Sequence, residues 1–233
     1  MKSIAIMQPY FFPYIGYFQL IQAVDQFIIY DNIQYTKKGW INRNRLLRNG
    51  GDVLFSVPLK KDSDFLDIKD REVAAEFNKC KLLNQFREAY RHAPYFEQVF
   101  ALIEAVILAK ESNLFRFVHN SIVKTCQYLA IETEIVVSSN LQTDHFLHGS
   151  DKVVSICKHA GADIYVNAIG GQELYSKEEF SVQNIQLKFL KPMPFNYRQF
   201  NNEFVPWLSI IDVMMFNSKD QVIENIRNNY VLI

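Results

Sequence analysis

The chain has 233 residues and a formal net charge of zero, from 25 basic and 25 acidic side chains. Hydrophobic residues make up 49 %, which predicts a sizeable buried core and argues against disorder. The charge balance argues against bulk electrostatic binding of nucleic acid or of an anionic membrane surface.

Cys80, Cys126 and Cys157 lie far apart with no C-x-x-C spacing, which sets aside a disulfide framework and a zinc ribbon and suits a reducing cytoplasm. No apolar run reaches the roughly 18 residues of a membrane span. The apolar residues 4–7 are cut off by Gln8 and Pro9, so no secretory signal is expected.

Taken in chain order, SIAIM (3–7) reads as a strand and YFFPYIG as a loop punctuated by proline and glycine. YFQLIQAV (17–24) has helical periodicity, and QFIIY (26–30) is a second apolar strand. Such a unit pairs its strands in parallel, and ligands in open parallel sheets bind beyond the carboxyl ends of the strands. The loop 8–16 and the segment 31–35 both leave such ends and are expected to face one another.

WINRNRLLRNGGDVLFSVPL predicts a hairpin turning at 49–52, with Arg43 and Arg45 on one face and Asn42 and Asn44 on the other. Residues 74–130 read as wholly helical, in about three helices, the third capped by Asn113 and ending near Leu129. TEIVVSS is a strand, Ser150 is the expected cap of a helix stopped by Gly161, and ADIYVN is another strand. IQLKFL adds a strand, and helices follow around 207–216 and 219–229. The sum is an α/β fold, a mostly parallel Rossmann-type sheet with helices on both faces. The expected organisation is one domain, an α/β core of residues 1–73 and 131–233 carrying a helical insertion at 74–130.

Four stretches could carry chemistry. The loop before the first helix brings Gln8, Tyr10, Tyr14, Gly16 and Tyr17 to a helix start, where free N–H groups attract anions and Gly16 would let a phosphate or carboxylate come close. The alternative is a rigid, proline-braced turn in which the tyrosines pack. DNIQYTKKGWINRNR offers Asp31, Gln34, Tyr35, Trp40, Asn42, Arg43, Asn44 and Arg45. Its arginines suit phosphate or carboxylate and Trp40 suits a base or sugar face, or else the segment is a solvated hairpin with a basic edge.

In DHFLHGSDK, Asp144, His145, His148 and Asp151 resemble metal ligands on paper, but Gly149 and the expected cap break a single-helix geometry and no metal is assigned. Asp151 and Lys152, at a helix start, could still line a site. NAIGGQELY places Asn167, Gly170, Gly171 and Tyr175 after a parallel strand without a G-x-G-x-x-G fingerprint, so a ligand loop and a tight turn both stand.

MQPYFFPYIGYFQLI, DNIQYTKKGWINRNR, HAGADIYVNAIGGQELY and FVPWLSIIDVMMFN, in this order, resemble the WbqC-like family nearly end to end. The N-terminal half is also similar to pantothenate-synthetase-like nucleotidyl transferases. There, YIGY (14–17) has the spacing of their H-x-G-H signature with a tyrosine in place of each histidine.

The family resemblance implies a setting in surface-polysaccharide and unusual-sugar biosynthesis, and the expected activity there is a transferase placing an acyl or aminoacyl group on a sugar nucleotide. Asp31 or Asp151 would be the general base, and the other residues named in the first, second and fourth stretches would bind substrate. The alternative is a non-catalytic nucleotide- or sugar-nucleotide-binding module. The expected partner is a small molecule, neither nucleic acid nor membrane, and no cofactor follows from the sequence.

Overall fold

The computed structural model describes residues 1–144 and 146–233. Its main sheet has six strands in the order β5-β2-β1-β6-β7-β8. These are β1 (Ser3–Met7), β2 (Gln26–Ile29), β5 (Glu134–Val137), β6 (Ile164–Ala168), β7 (Gln186–Pro192) and β8 (Tyr230–Leu232). The first five run parallel, and β8 pairs antiparallel with β7. Numbered among themselves in chain order, the parallel strands lie 3-2-1-4-5, the Rossmann arrangement. The strand order reverses between β1 and β6.

Side chains alternate across the sheet because strands have a period of two. Ala5, Phe27, Ile29, Val166 and Leu190 enter one buried cluster, while Ile4, Ile6, Ile28, Tyr165 and Phe189 enter the other. The first cluster takes in α1 (Ile15–Gln22), α2 (Lys79–Tyr90), α3 (Phe96–Ile107), α4 (Leu114–Tyr128), α7 (Ile210–Phe216) and α8 (Lys219–Asn228). The second is covered by α5 (Gly149–His159) and α6 (Lys177–Ser181). Helices therefore cover both faces.

Between β2 and α2 stands a separate hairpin of β3 (Arg43–Arg48) and β4 (Gly51–Ser56). Asn49 and Gly50 both have positive φ, +51° and +76°, as a two-residue turn matched to strand twist requires. Asn113 caps α4 by accepting from the Arg116 N–H at 3.0 Å. Gly161, at φ +64°, ends α5 with the Ala162 N–H returning to the Cys157 carbonyl.

Several boundaries differ from the sequence reading. The cap of α5 is His148, not Ser150, and Gly149 opens the helix instead of breaking it, because its φ of +56° turns the chain into the first turn. The stretch 74–130 does hold three helices, but residues 74–78, 91–95 and 108–113 are connections, so it is not helical throughout. The predicted helix at 207–216 begins only at Ile210, since the Ser209 hydroxyl accepts from the Ile211 N–H and caps it. Two short elements escape the periodicity: α6, capped by Ser176, and the three-residue edge strand β8.

Candidate functional site

A cavity of about 410 Å³ opens at the carboxyl ends of β1 and β6, where the strand order reverses. Open α/β sheets bind ligands at this position, because loops leaving adjacent strands to opposite faces part and leave a crevice. Six of the chain's twelve tyrosines line it: Tyr10, Tyr14, Tyr17, Tyr30, Tyr165 and Tyr175. Gln8, Asn167, Gly16, Gly170 and Gly171 complete the polar and backbone surface, and Leu174 stands at the edge, largely exposed. No charged side chain among the described residues lines this cavity.

The polar groups divide by whether the protein already uses them. Tyr17 is buried and its hydroxyl donates to the Gln8 carbonyl at 3.0 Å, so it anchors the loop to α1. Tyr165 is buried as well, stacked on Phe180 and edge-on to Tyr175. The side-chain amide of Gln8 and the hydroxyls of Tyr10, Tyr14 and Tyr30 have no hydrogen-bond partner among the described residues. Asn167 accepts the Ala168 N–H on Oδ1 at 2.8 Å, and its NH₂ has no partner among the described residues. Burial raises the phenols of Tyr10, Tyr14 and Tyr30 above their ordinary value. They remain protonated at neutral pH and can donate or accept hydrogen bonds.

Gly16 is explained by its neighbour. A Cβ there would stand 2.4 Å from the Tyr14 ring, so the glycine accommodates that ring where the sequence suggested an approaching phosphate. Gly171 has the same relation to Asn167, whose Nδ2 would lie 2.4 Å from a Cβ.

The loop between β1 and α1 is clamped from behind. Phe11 and Phe12 are wholly buried, and Phe12 sits at φ +42°, a region that L residues rarely occupy. Asn44 Nδ2 donates to the Phe11 and Phe12 carbonyls at 3.2 and 2.8 Å. The Ser209 hydroxyl donates to the same Phe12 carbonyl at 2.7 Å, and the Ile210 N–H donates to the Pro13 carbonyl. Hairpin and α7 thus fix the strained loop, with Phe11 and Phe12 in the core while Gln8, Tyr10 and Tyr14 line the cavity.

The other predicted residues lie off this cavity. Tyr35 is buried, hydrogen-bonded to Asn42 at 2.8 Å, with Arg71 over its ring, and Asn42 also donates to the Val57 carbonyl. Arg43 donates to the Gly39 carbonyl, while Arg45 pairs with Asp52 and reaches the Trp207 carbonyl. Both guanidinium groups lie over the Trp40 ring, at 6.0 and 5.6 Å. Gln34 is exposed and donates to the Asp64 carbonyl.

Asp31 is buried, and Ser138 Oγ, Ser139 N and Ser139 Oγ all donate to its carboxylate. It borders a separate shallow cleft of about 340 Å³ with Lys69, Asp70 and Arg116. Asp151 is exposed in the first turn of α5. Its neighbour Lys152 is buried, donating to the Asn32 carbonyl at 2.8 Å with its ammonium 5.0 Å from the Tyr30 ring centre. Burial lowers the pKa of Lys152. His145 lies outside the described residues, and among these no group of three His, Cys, Asp or Glu is arranged to hold a metal ion.

Tyr30 and Tyr165 were not singled out by sequence. The signal available for Tyr30 was its place at the carboxyl end of a parallel strand, which is where such folds bind ligands.

Sheet order and cavity together define a Rossmann-like α/β protein whose tyrosine-lined cavity sits at the switch point. The chain belongs to the WbqC-like protein family, which it matches over residues 8–224. It is 28 % identical over 232 residues to the uncharacterized protein Rv1507c of Mycobacterium tuberculosis, covering 93 % of this chain and 94 % of that protein. No solved structure matches it. No helix among the described residues is long and apolar enough to cross a membrane.

Proposed function

We propose that the switch-point cavity binds the sugar of a sugar nucleotide, in a transferase that places an acyl or aminoacyl group on that sugar during surface-polysaccharide biosynthesis. The observation that carries the binding part is the neutral lining of six tyrosines, Gln8 and Asn167. Tyrosine rings pack on the C–H faces of a pyranose, and uncommitted hydroxyl and amide groups exchange hydrogen bonds with its hydroxyls. A diphosphate seated in the same wall would meet no counter-charge among the described residues. The biosynthetic setting comes from the family resemblance, and the transfer step is the chemistry we propose for that setting.

A second reading, a binding module without turnover, is favoured by one observation. Asp31 and Asp151, the two candidate bases, both lie off the cavity wall.

A panel of sugar nucleotides, each compared with its nucleoside diphosphate, separates these outcomes. The sugar-bearing ligand should raise the melting temperature more than the diphosphate alone. Asn167→Ala and Tyr10→Phe should weaken its binding by up to about tenfold each, one hydrogen bond apiece, and Arg43→Ala should leave it unchanged. Equal shifts with and without the sugar, or loss of binding in Arg43→Ala, would move the ligand to the hairpin. Mass spectrometry with candidate acyl donors then decides between transferase and binding module by whether a substituted sugar nucleotide forms.

A further inference from the structure

A second cavity, of about 450 Å³, shares Tyr14 and no other lining residue with the first. It lies between the end of β7 and the start of α7, under the segment 192–208. Its wall is apolar: Pro192, Pro194 and Pro206 alternate with the rings of Phe195, Phe204 and Trp207. Tyr197 also lines it, with its hydroxyl taken by Asp212 Oδ1 at 2.6 Å and its ring packed on Phe195 and Phe204. The tyrosine therefore contributes ring surface and no free hydroxyl. The contrast with the first cavity is chemical: there the hydroxyls of Tyr10, Tyr14 and Tyr30 have no partner among the described residues, while here, beside the shared Tyr14, the hydroxyl of Tyr197 is withdrawn.

Two features point to a ligand and not to ordinary surface. Trp207 is 63 % exposed at φ +60°, an unfavourable backbone position for an L residue, so an indole is held over an apolar hollow at a conformational cost. Its carbonyl is gripped by Arg45 Nη2 at 3.0 Å and its ring meets Tyr14 edge-on, so the placement is fixed from two elements. Lys191 is the one charged residue in the wall, is exposed, and forms no ion pair among the described residues. The hollow has the volume of a small-molecule site, roughly 300–1,000 Å³.

We propose that this second cavity binds a small amphiphile, an apolar chain or ring carrying one anionic head, with the apolar body against Trp207 and the prolines and the head at Lys191. Its occupant would reach the occupant of the first cavity across the Tyr14 ring. The inference stands whether or not the first cavity takes a sugar.

Octanoate and octanol, an anionic probe and its neutral counterpart, test it. The chain has two tryptophans, so Trp40→Phe leaves Trp207 as the only indole reporter. Octanoate should change its emission saturably. Octanol should bind more weakly, by up to about fivefold for one exposed ion pair, and Lys191→Ala should bring octanoate to the octanol level.

Trp207→Gly removes the ring at a position where glycine is the favoured residue, so the fold is retained. By calorimetry it should bind octanoate at least about tenfold more weakly. Undiminished affinity in a folded Trp207→Gly chain, or the absence of saturable binding, overturns the site. Equal affinity for octanoate and octanol overturns the anionic head. Self-association that shields Trp207 and is indifferent to octanoate would give the face to a second copy and overturn the small-molecule assignment.

Discussion

The switch-point cavity and the basic hairpin region leave the carboxyl ends of neighbouring strands, β1 and β2, yet they use their polar residues in opposite ways. Around the hairpin, Tyr35, Asn42, Arg43, Asn44 and Arg45 are each bonded to another part of the chain. In the cavity wall, the polar atoms of Gln8, Tyr10, Tyr14, Tyr30 and Asn167 include donors without a partner among the described residues. Charged and amide side chains that look chemical in a sequence can be the ones a fold needs for its own anchoring. Binding capacity lies in what remains unused after the fold has satisfied its own buried groups. The comparison makes a sharp prediction: hairpin substitutions cost stability, and cavity substitutions cost affinity.

The largest effect is expected at Asn44. It is buried, donates to two carbonyls of the strained loop, and accepts the Arg45 N–H. Asn44→Ala leaves these groups short of partners in the interior and releases the φ of Phe12, with an expected loss of about 2–4 kcal/mol. In a chain of this size that lowers the melting temperature by about 2–4 °C per kcal/mol. Differential scanning calorimetry checks it, and an unchanged melting temperature would break the comparison on its structural side.

Asp212 extends the contrast to pH. Its carboxylate is buried and accepts from Tyr197, Gln199 and Tyr90. Burial raises its pKa to about 6, against the opposing pull of those hydrogen bonds. The unfolded chain would titrate this group near 3.9, so between about pH 4 and pH 6 the native state holds a proton that the unfolded state has released. Stability from this group is therefore greatest below the window and falls as pH rises through it, by up to about 3 kcal/mol.

Asp212→Asn removes that slope. The difference in unfolding free energy between wild type and variant, measured in urea from pH 4 to pH 6, should decline across the range. The cavity phenols titrate far above it, since burial moves Tyr10 and Tyr14 upward. Binding to the phenol-lined cavity should accordingly show little change over the interval in which stability changes.

Much of this architecture was legible because local signals agreed with it. The apolar centres of the runs at 3–7 and 26–30 are buried on both faces of a parallel sheet, and the Asn-Gly turn at 49–50 has the φ values its residue types favour. The loop at 8–16 was legible as a special turn, and Asn167, Gly170 and Gly171 do border the cavity with it.

Other features were set by distant partners that a local window does not contain. Asn44 braces a loop more than thirty positions earlier, and the carboxylate of Asp31 is held by Ser138 and Ser139 over a hundred positions later. Tyr30 and Tyr165 gain a role only when β2 and β6 are both placed beside β1. The helix start at Gly149 depends on a positive φ, which the residue type permits without requiring.

The smallest stability effect, and the finest test of the cavity side, belongs to Gly171→Ala. Gly171 does not occupy the left-handed region, so alanine meets no backbone obstacle, and a less flexible unfolded chain favours it by roughly 0.4–1 kcal/mol. The obstacle is the side chain of Asn167, whose Nδ2 would lie 2.4 Å from the new methyl. Asn167 is buried in β6, so it must swing away, breaking the 2.8 Å contact from the Ala168 N–H and withdrawing its free NH₂ from the cavity.

Losing one hydrogen-bonding group should weaken a sugar-nucleotide ligand by up to about tenfold, while the melting temperature stays within the few degrees that about 1 kcal/mol moves it. Paired calorimetry and thermal melts on Gly171→Ala and Asn167→Ala should give matching affinity losses, because both remove the same NH₂. If Gly171→Ala binds as wild type does while Asn167→Ala does not, the NH₂ has kept its place and the close approach is absorbed elsewhere. If neither loses affinity, the amide of Asn167 is not part of the site, and the division between a hairpin whose side chains bond within the chain and a cavity with unused donors loses its best-defined donor.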